Sequence, residues 1–116
     1  MTIIRKGTTK RWSDTNIYNG LVMLSGQLAD DLDGDINAQL RETLSNCSKA
    51  LAAGSSNKSH ILSATIYMKD LGHMDALNSA WEEWLPLGAA PARTTVRADM
   101  VNPKCLVEIT LTAVQP

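Results

Sequence analysis

Ile61-Leu62-Ser63-Ala64-Thr65-Ile66-Tyr67-Met68 is the stretch on which the fold turns. It is apolar, β-branched and bounded by a polar turn from Ser55 to Ser59, as an interior strand should be. On its N-terminal side the period is helical. Ile36, Leu40, Leu44, Cys47 and Leu51 recur at steps of four, four, three and four, which places them on one stripe. Asp35 is the expected N-cap and Gly54 the expected C′ stop, bounding about five turns. On the C-terminal side Met74, Leu77, Trp81 and Trp84 share one face of a second helix, with Gly88 past its end. A buried strand between two one-faced helices predicts helices packed on a sheet.

Working outward, Asn19-Gly20 separates Thr15-Asn16-Ile17-Tyr18 from Leu21-Val22-Met23-Leu24. Asn-Gly supplies the positive φ angles of a type I′ turn, so a tight hairpin is predicted, with a short strand at Ile3 and Ile4 before it. The last third reads as a second hairpin, with arms Thr94 to Met100 and Cys105 to Val114 around the turn Val101-Asn102-Pro103-Lys104. Cys105, Val107, Ile109, Leu111 and Ala113 share one face of the final arm; Leu106, Glu108, Thr110, Thr112 and Val114 share the other. The predicted order is β-β-β-α-β-α-β-β. It gives an α+β sandwich of two layers, a six-stranded mixed sheet with two helices on one face, in a single domain over residues 1–116. The uncovered face must meet water or another subunit, and Leu106 and Val114 favour a subunit.

The chain has 116 residues with 11 Lys+Arg against 12 Asp+Glu, so its net charge is −1. That balance argues against a dedicated nucleic-acid binder, whose usual footprint is a basic surplus. No run approaches the roughly 18 apolar residues that span a bilayer, and Met1-Thr2-Ile3-Ile4-Arg5-Lys6 lacks a signal-peptide apolar stretch, so a cytoplasmic protein is expected. Cys47 and Cys105 form no CxxC and read as free, buried thiols. The sequons at Asn46 and Asn57 are then irrelevant, since glycosylation needs a secretory route.

Most candidate motifs dissolve on inspection. Asp31, Asp33, Asp35, Asn37 and Glu42 fall at calcium-loop spacings, but Ile36 occupies the position that needs glycine. An acidic loop at the positive end of a helix is the expected reading. Arg5, Lys6, Lys10 and Arg11 form a basic cluster without aromatic interleaving, so a solvated face is expected rather than RNA contact. His60 and His73 lack neighbours at metal-ligand spacing, so no metal is expected. No GxGxxG, Walker loop or GxSxG occurs, which removes nucleotide cofactors and hydrolase triads from consideration.

Two residues stand apart. Arg93 opens a strand after Ala89-Ala90-Pro91-Ala92, where little competes for its guanidinium. Glu108 is the sole acid in its strand, between Val107 and Ile109, and such a carboxylate is either paired or functional. If the last two strands form a hairpin, Arg97 lies opposite Glu108 and the pair is an ordinary cross-strand ion pair. The functional alternative is an arginine fork for a small carboxylate with a glutamate that handles a proton or a water.

Pro91-Ala92-Arg93-Thr94-Thr95-Val96, ending in Val107-Glu108-Ile109, resembles the C-terminal signature of the RidA/YjgF reactive-intermediate deaminase family. Ser25-Gly26-Gln27 and Lys69-Asp70-Leu71 match two further recurring elements in order and spacing, and the resemblance spans almost the whole chain. It implies a homotrimer of chorismate-mutase-like fold with pockets at the subunit interfaces. Members with this arginine hydrolyse enamines and imines of the 2-aminoacrylate type to 2-keto acids and ammonia, without metal or cofactor. By resemblance, Arg93 would hold the substrate carboxylate and the Thr95 backbone would contact its nitrogen end. Glu108 would orient or deprotonate the attacking water, while Trp12, Ser25 and Gly26 would line the pocket. Trp12 stands where the family often has tyrosine, Thr95 where cysteine is common, and Ala90 where an aromatic is usual; Thr94 and Asp99 also depart. The alternatives are a non-catalytic binder or sensor of small 2-keto or amino acids at the same arginine, and an RNA-directed role for the Arg5–Arg11 cluster.

Overall fold

The computed structural model describes residues 2–116. Ile4–Lys6 (β1) lies antiparallel to Thr15–Tyr18 (β2), and Asn19-Gly20 turns the chain into Leu21–Leu24 (β3). Asn19 and Gly20 have φ of 52° and 79°, the left-handed pair a type I′ turn demands. Helix α1 runs Ile36–Ala53, and the Asp35 carboxylate caps it by accepting from Ala38 N at 2.9 Å. Gly54 does not play the expected left-handed stop. Its φ is −91°, and Ser55 takes the left-handed conformation at 58°. The glycine is needed for approach instead: a Cβ at position 54 would lie 2.5 Å from Val22 Cγ1 and 3.1 Å from Thr15 Cγ2. The end of α1 thus rests directly on the first hairpin.

Ile61–Met68 (β4), α2 (Met74–Trp84), Ala92–Arg97 (β5) and Val107–Val114 (β6) complete the chain. The strand order is β1-β2-β3-β6-β4-β5. The expected hairpin between the last two strands does not form. β4 inserts between them, antiparallel to β6 and parallel to β5. The physical reason lies in the stretch quoted first: Ile61–Met68 is apolar enough to need a strand on each side, and helix α2 provides the long crossover that parallel neighbours require. The boundaries move with it. β5 spans Ala92–Arg97 instead of starting at Thr94, and Cys105 and Leu106 precede β6 rather than belonging to it.

Both helices pack on one face, where Leu40, Leu44, Cys47, Leu51, Leu77 and Trp81 meet Val22, Ile66, Met68, Val107, Ile109 and Leu111. The molecule measures 44 × 37 × 20 Å. The shortest extent is one sheet plus one helix layer at about 10 Å each. Trp84 Nε1 donates to Ser48 Oγ at 3.0 Å and ties the helices together.

Gln39, fully buried, fastens the loop before α1. Its Nε2 donates to the carbonyls of Leu32 (3.2 Å), Gly34 (3.1 Å) and Lys104 (3.0 Å), and its Oε1 accepts from Leu106 N at 2.9 Å. The loop's acids are occupied as turn and cap acceptors: Asp31 Oδ1 takes Asp33 N, and Glu42 Oε1 takes Asp31 N. Asp33 pairs with Lys104 at 2.7 Å, which lowers the Asp33 carboxyl and raises the Lys104 ammonium from their ordinary values. Among the described residues no helix is long and apolar enough to cross a membrane.

Candidate active site

Register decides where each candidate side chain goes. Ala64, Ile66 and Met68 of β4 face the helices and lie beside Arg93, Thr95 and Arg97 of β5. Those three residues therefore occupy the helix side of the sheet's edge strand. Helix α2 receives Arg93 there: Asn78 Oδ1 accepts from the Arg93 guanidinium at 2.9 Å, and the Trp81 ring lies 5.9 Å beneath it. The guanidinium is held yet exposed, and no carboxylate pairs with it among the described residues. Thr95 follows on the same side, half-buried, with its Oγ1 buried and unpartnered.

Glu108 is on the other side. It lies opposite Tyr67 of β4, and its neighbours Val107 and Ile109 are fully buried beneath the helices. Beyond β3 the chain returns to β6 through a bridge in which Gln27 N donates to Ile109 O (2.8 Å) and Ile109 N to Gln27 O (2.9 Å). This sets Gly26 against Glu108 so closely that a Cβ there would sit 2.1 Å from Glu108 Oε2. Only glycine leaves the carboxylate its place. Ser25 is tied by its N–H to Asp14 O at 3.0 Å, and Trp12 Nε1 donates to Asp14 Oδ1 at 3.2 Å. Trp12, Asp14, Ser25, Gly26, Asn46 and Lys49 help line a cavity of about 580 Å³.

The predicted site residues thus fall into two groups. Gly26 and Glu108 come together, Trp12 and Ser25 share with Gly26 a cavity that Glu108 does not line, and Arg93 and Thr95 come together on the face of the sheet opposite Glu108. The anticipated ion pair between Arg97 and Glu108 is absent, because β4 separates their strands and their side chains take different faces. Leu106, expected on the uncovered face, lies ahead of β6 at the end of the sheet. Asn78 was missed. Its only trace in sequence is a polar residue inside the apolar stripe, four after Met74 and three before Trp81. Trp81, read purely as core, also carries the arginine. The thiols offer no nucleophile: burial pushes Cys47 up to about 12 and also raises Cys105.

Comparison with known proteins agrees with this architecture. The family model described as Endoribonuclease L-PSP matches residues 3–115. The chain is 42% identical over 113 residues to the RutC family protein YoaB of Escherichia coli strain K12, covering 97% of this chain and 98% of that protein. A RutC family protein of Haemophilus ducreyi is 38% identical over 96% of this chain and 95% of its own length. Among solved structures, a YjgF family member from Neisseria meningitidis superposes with a TM-score of 0.94 at 37% identity, covering 100% of this chain and 97% of the other. A protein from Pseudomonas aeruginosa gives 0.95 at 31% identity over 99% and 100% of the two chains. The chain belongs to the RidA/YjgF family, and its fold is the chorismate-mutase-like two-layer sandwich expected from the sequence.

Proposed function

We propose that this protein hydrolyses reactive enamines and imines of small amino acids to 2-keto acids and ammonia, in pockets completed between subunits of a homotrimer. The observation that carries the reading is the uncommitted Arg93 guanidinium, braced by Asn78 and Trp81 and left open to a carboxylate. Its counterpart, the carboxylate of Glu108 seated against Gly26, lies on the opposite face. A second copy whose β5 edge meets this open face brings the two halves together. Such a head-to-tail contact leaves both groups available on every copy and closes as a ring, in keeping with the trimer that the resemblance implies.

In that pocket Arg93 takes the substrate carboxylate by a bidentate pair. The Thr95 backbone belongs to the sheet's edge strand, where outward amide and carbonyl groups are free for the nitrogen end. Proton transfer to carbon turns the enamine into the imine. Glu108 then accepts a proton from water as it adds to the imine carbon, and the carbinolamine collapses with loss of ammonia. An imine is already electrophilic, so holding substrate and water in place is most of the work.

A coupled assay tests this. A pyridoxal-phosphate enzyme generates 2-iminopropanoate, and 2-keto acid release is timed with and without the protein. Acceleration that disappears in Arg93→Ala is expected; equal rates with and without protein sink the proposal. Saturable binding of 2-keto acids that survives Glu108→Ala, with no turnover by the wild type, establishes the binder instead. The nuclease activity in the family model's description has less support here. Histidine would be its natural acid–base group, but His60 rests on Asn57 Oδ1 at 2.8 Å in a surface turn and His73 starts α2.

A further inference from the structure

Lys69-Asp70-Leu71 takes no part in the chemistry above, yet it lines a second cavity. Where β4 and β5 end and β6 begins, a cleft of about 540 Å³ opens between Lys69, Asp70, Leu71, His73, Arg97 and Leu106. The cations reach it from separate elements. Lys69 follows β4, and its N–H donates to Leu106 O at 3.1 Å, while its ammonium rests on the Pro103 carbonyl. Arg97 ends β5, is exposed, and makes no side-chain hydrogen bond or ion pair among the described residues. His73, which precedes α2, lines the cleft as well, while the first turn of that helix carries its own acid, Asp75.

Asp70 is the one acid on the lining, and it is engaged: its Oδ1 accepts from Gly72 N at 2.8 Å, capping the turn Leu71–His73. Lys69 and Arg97 therefore bring two positive charges to the cleft against the one carboxylate of its lining. Leu71, 47% exposed, and Leu106 supply an apolar wall.

We propose that this cleft binds a small molecule carrying a phosphate group, at a site separate from Arg93. A planar guanidinium fork and a lysine point charge on different walls suit a tetrahedral dianion. Arg97 and Arg93 are four residues apart on one face of β5, about 13 Å along the strand, and the Arg93 guanidinium is held by Asn78 and Trp81, neither of which lines this cleft.

The test is calorimetric titration of the intact, assembled protein with inorganic phosphate and with glycerol phosphate at fixed ionic strength. Saturable binding is expected, weakened about tenfold or more by Arg97→Ala or Lys69→Met and unchanged by Arg93→Ala. Arg97→Ala alters an exposed side chain, and an unchanged Tm verifies that it folds. Loss of binding in Arg93→Ala but not in Arg97→Ala overturns the proposal, because the anion then sits on the other arginine. Equal affinity for succinate, or heats that never saturate, overturns it as well.

Discussion

The two faces of the sheet are built from the same strands and do different things. On the covered face, Val22, Ile66, Met68, Val107 and Ile109 alternate inward and bury without remainder against α1 and α2. On the open face, their neighbours are a threonine field with an apolar margin. Thr65, Thr110 and Thr112 occupy the middle, while Tyr18, Leu21, Met23 and Val96 stand exposed around them. The first face contributes the folding free energy, at about 25 cal/mol per Å² of apolar surface removed from water. The second retains surface that a lone chain cannot bury. One alternation along each strand therefore encodes a buried core on one side and an exposed, partly apolar surface on the other.

Substitutions can break that division. Leu77→Ala, in the fully buried stripe of α2, should cost about 2–5 kcal/mol in chemical denaturation, by lost transfer energy and a cavity. Gln39→Leu should cost about 3 kcal/mol, because three carbonyls and the Leu106 N–H lose their buried partner at once. Alkaline pH probes the same face through Cys47. Its folded-state thiol ionises near 12 against an ordinary 9.0, so the unfolded chain loses its proton first. Stability should be fully present below pH 9.0 and fall as pH rises toward about 12, at up to about 1.4 kcal/mol per pH unit, less in Cys47→Ala. On the open face, Met23→Asp should leave the stability of the chain within about 0.5 kcal/mol yet disperse the proposed homotrimer, as read by sedimentation. A Met23→Asp chain that unfolds early would show that this face also holds the fold. The smallest effect is expected for Lys104→Ala, which removes only an exposed ion pair and should leave the melting curve unchanged.

The sequence made the faces legible but not the neighbours. Alternation from Cys105 to Ala113 identified the buried row of β6 correctly, and Asn19-Gly20 and Asp35 marked a turn and a cap found where expected. Local pattern carries no information on which strand lies beside which. The insertion of β4 between β5 and β6 was therefore invisible, and with it the register that sets Tyr67, not Arg97, opposite Glu108. The candidate residues were recognisable by type, and their separation onto two faces was not. That separation depends on the parallel register of Ala64 with Arg93, fixed by a crossover helix rather than by any short motif. Gly54 taught a related lesson: it ends α1, but the reason for glycine lies across the core at Val22.

An open sheet has two unpaired margins, and each is a template on which another chain could stack without limit. Here both margins carry cations: Arg5 and Lys6 on β1, Arg93 and Arg97 on β5. Strands from two molecules approaching edge to edge would bring like charges together, which disfavours endless fibre growth. Arg93 thus counts twice, once for the pocket proposed above and once as a charge on an unpaired margin.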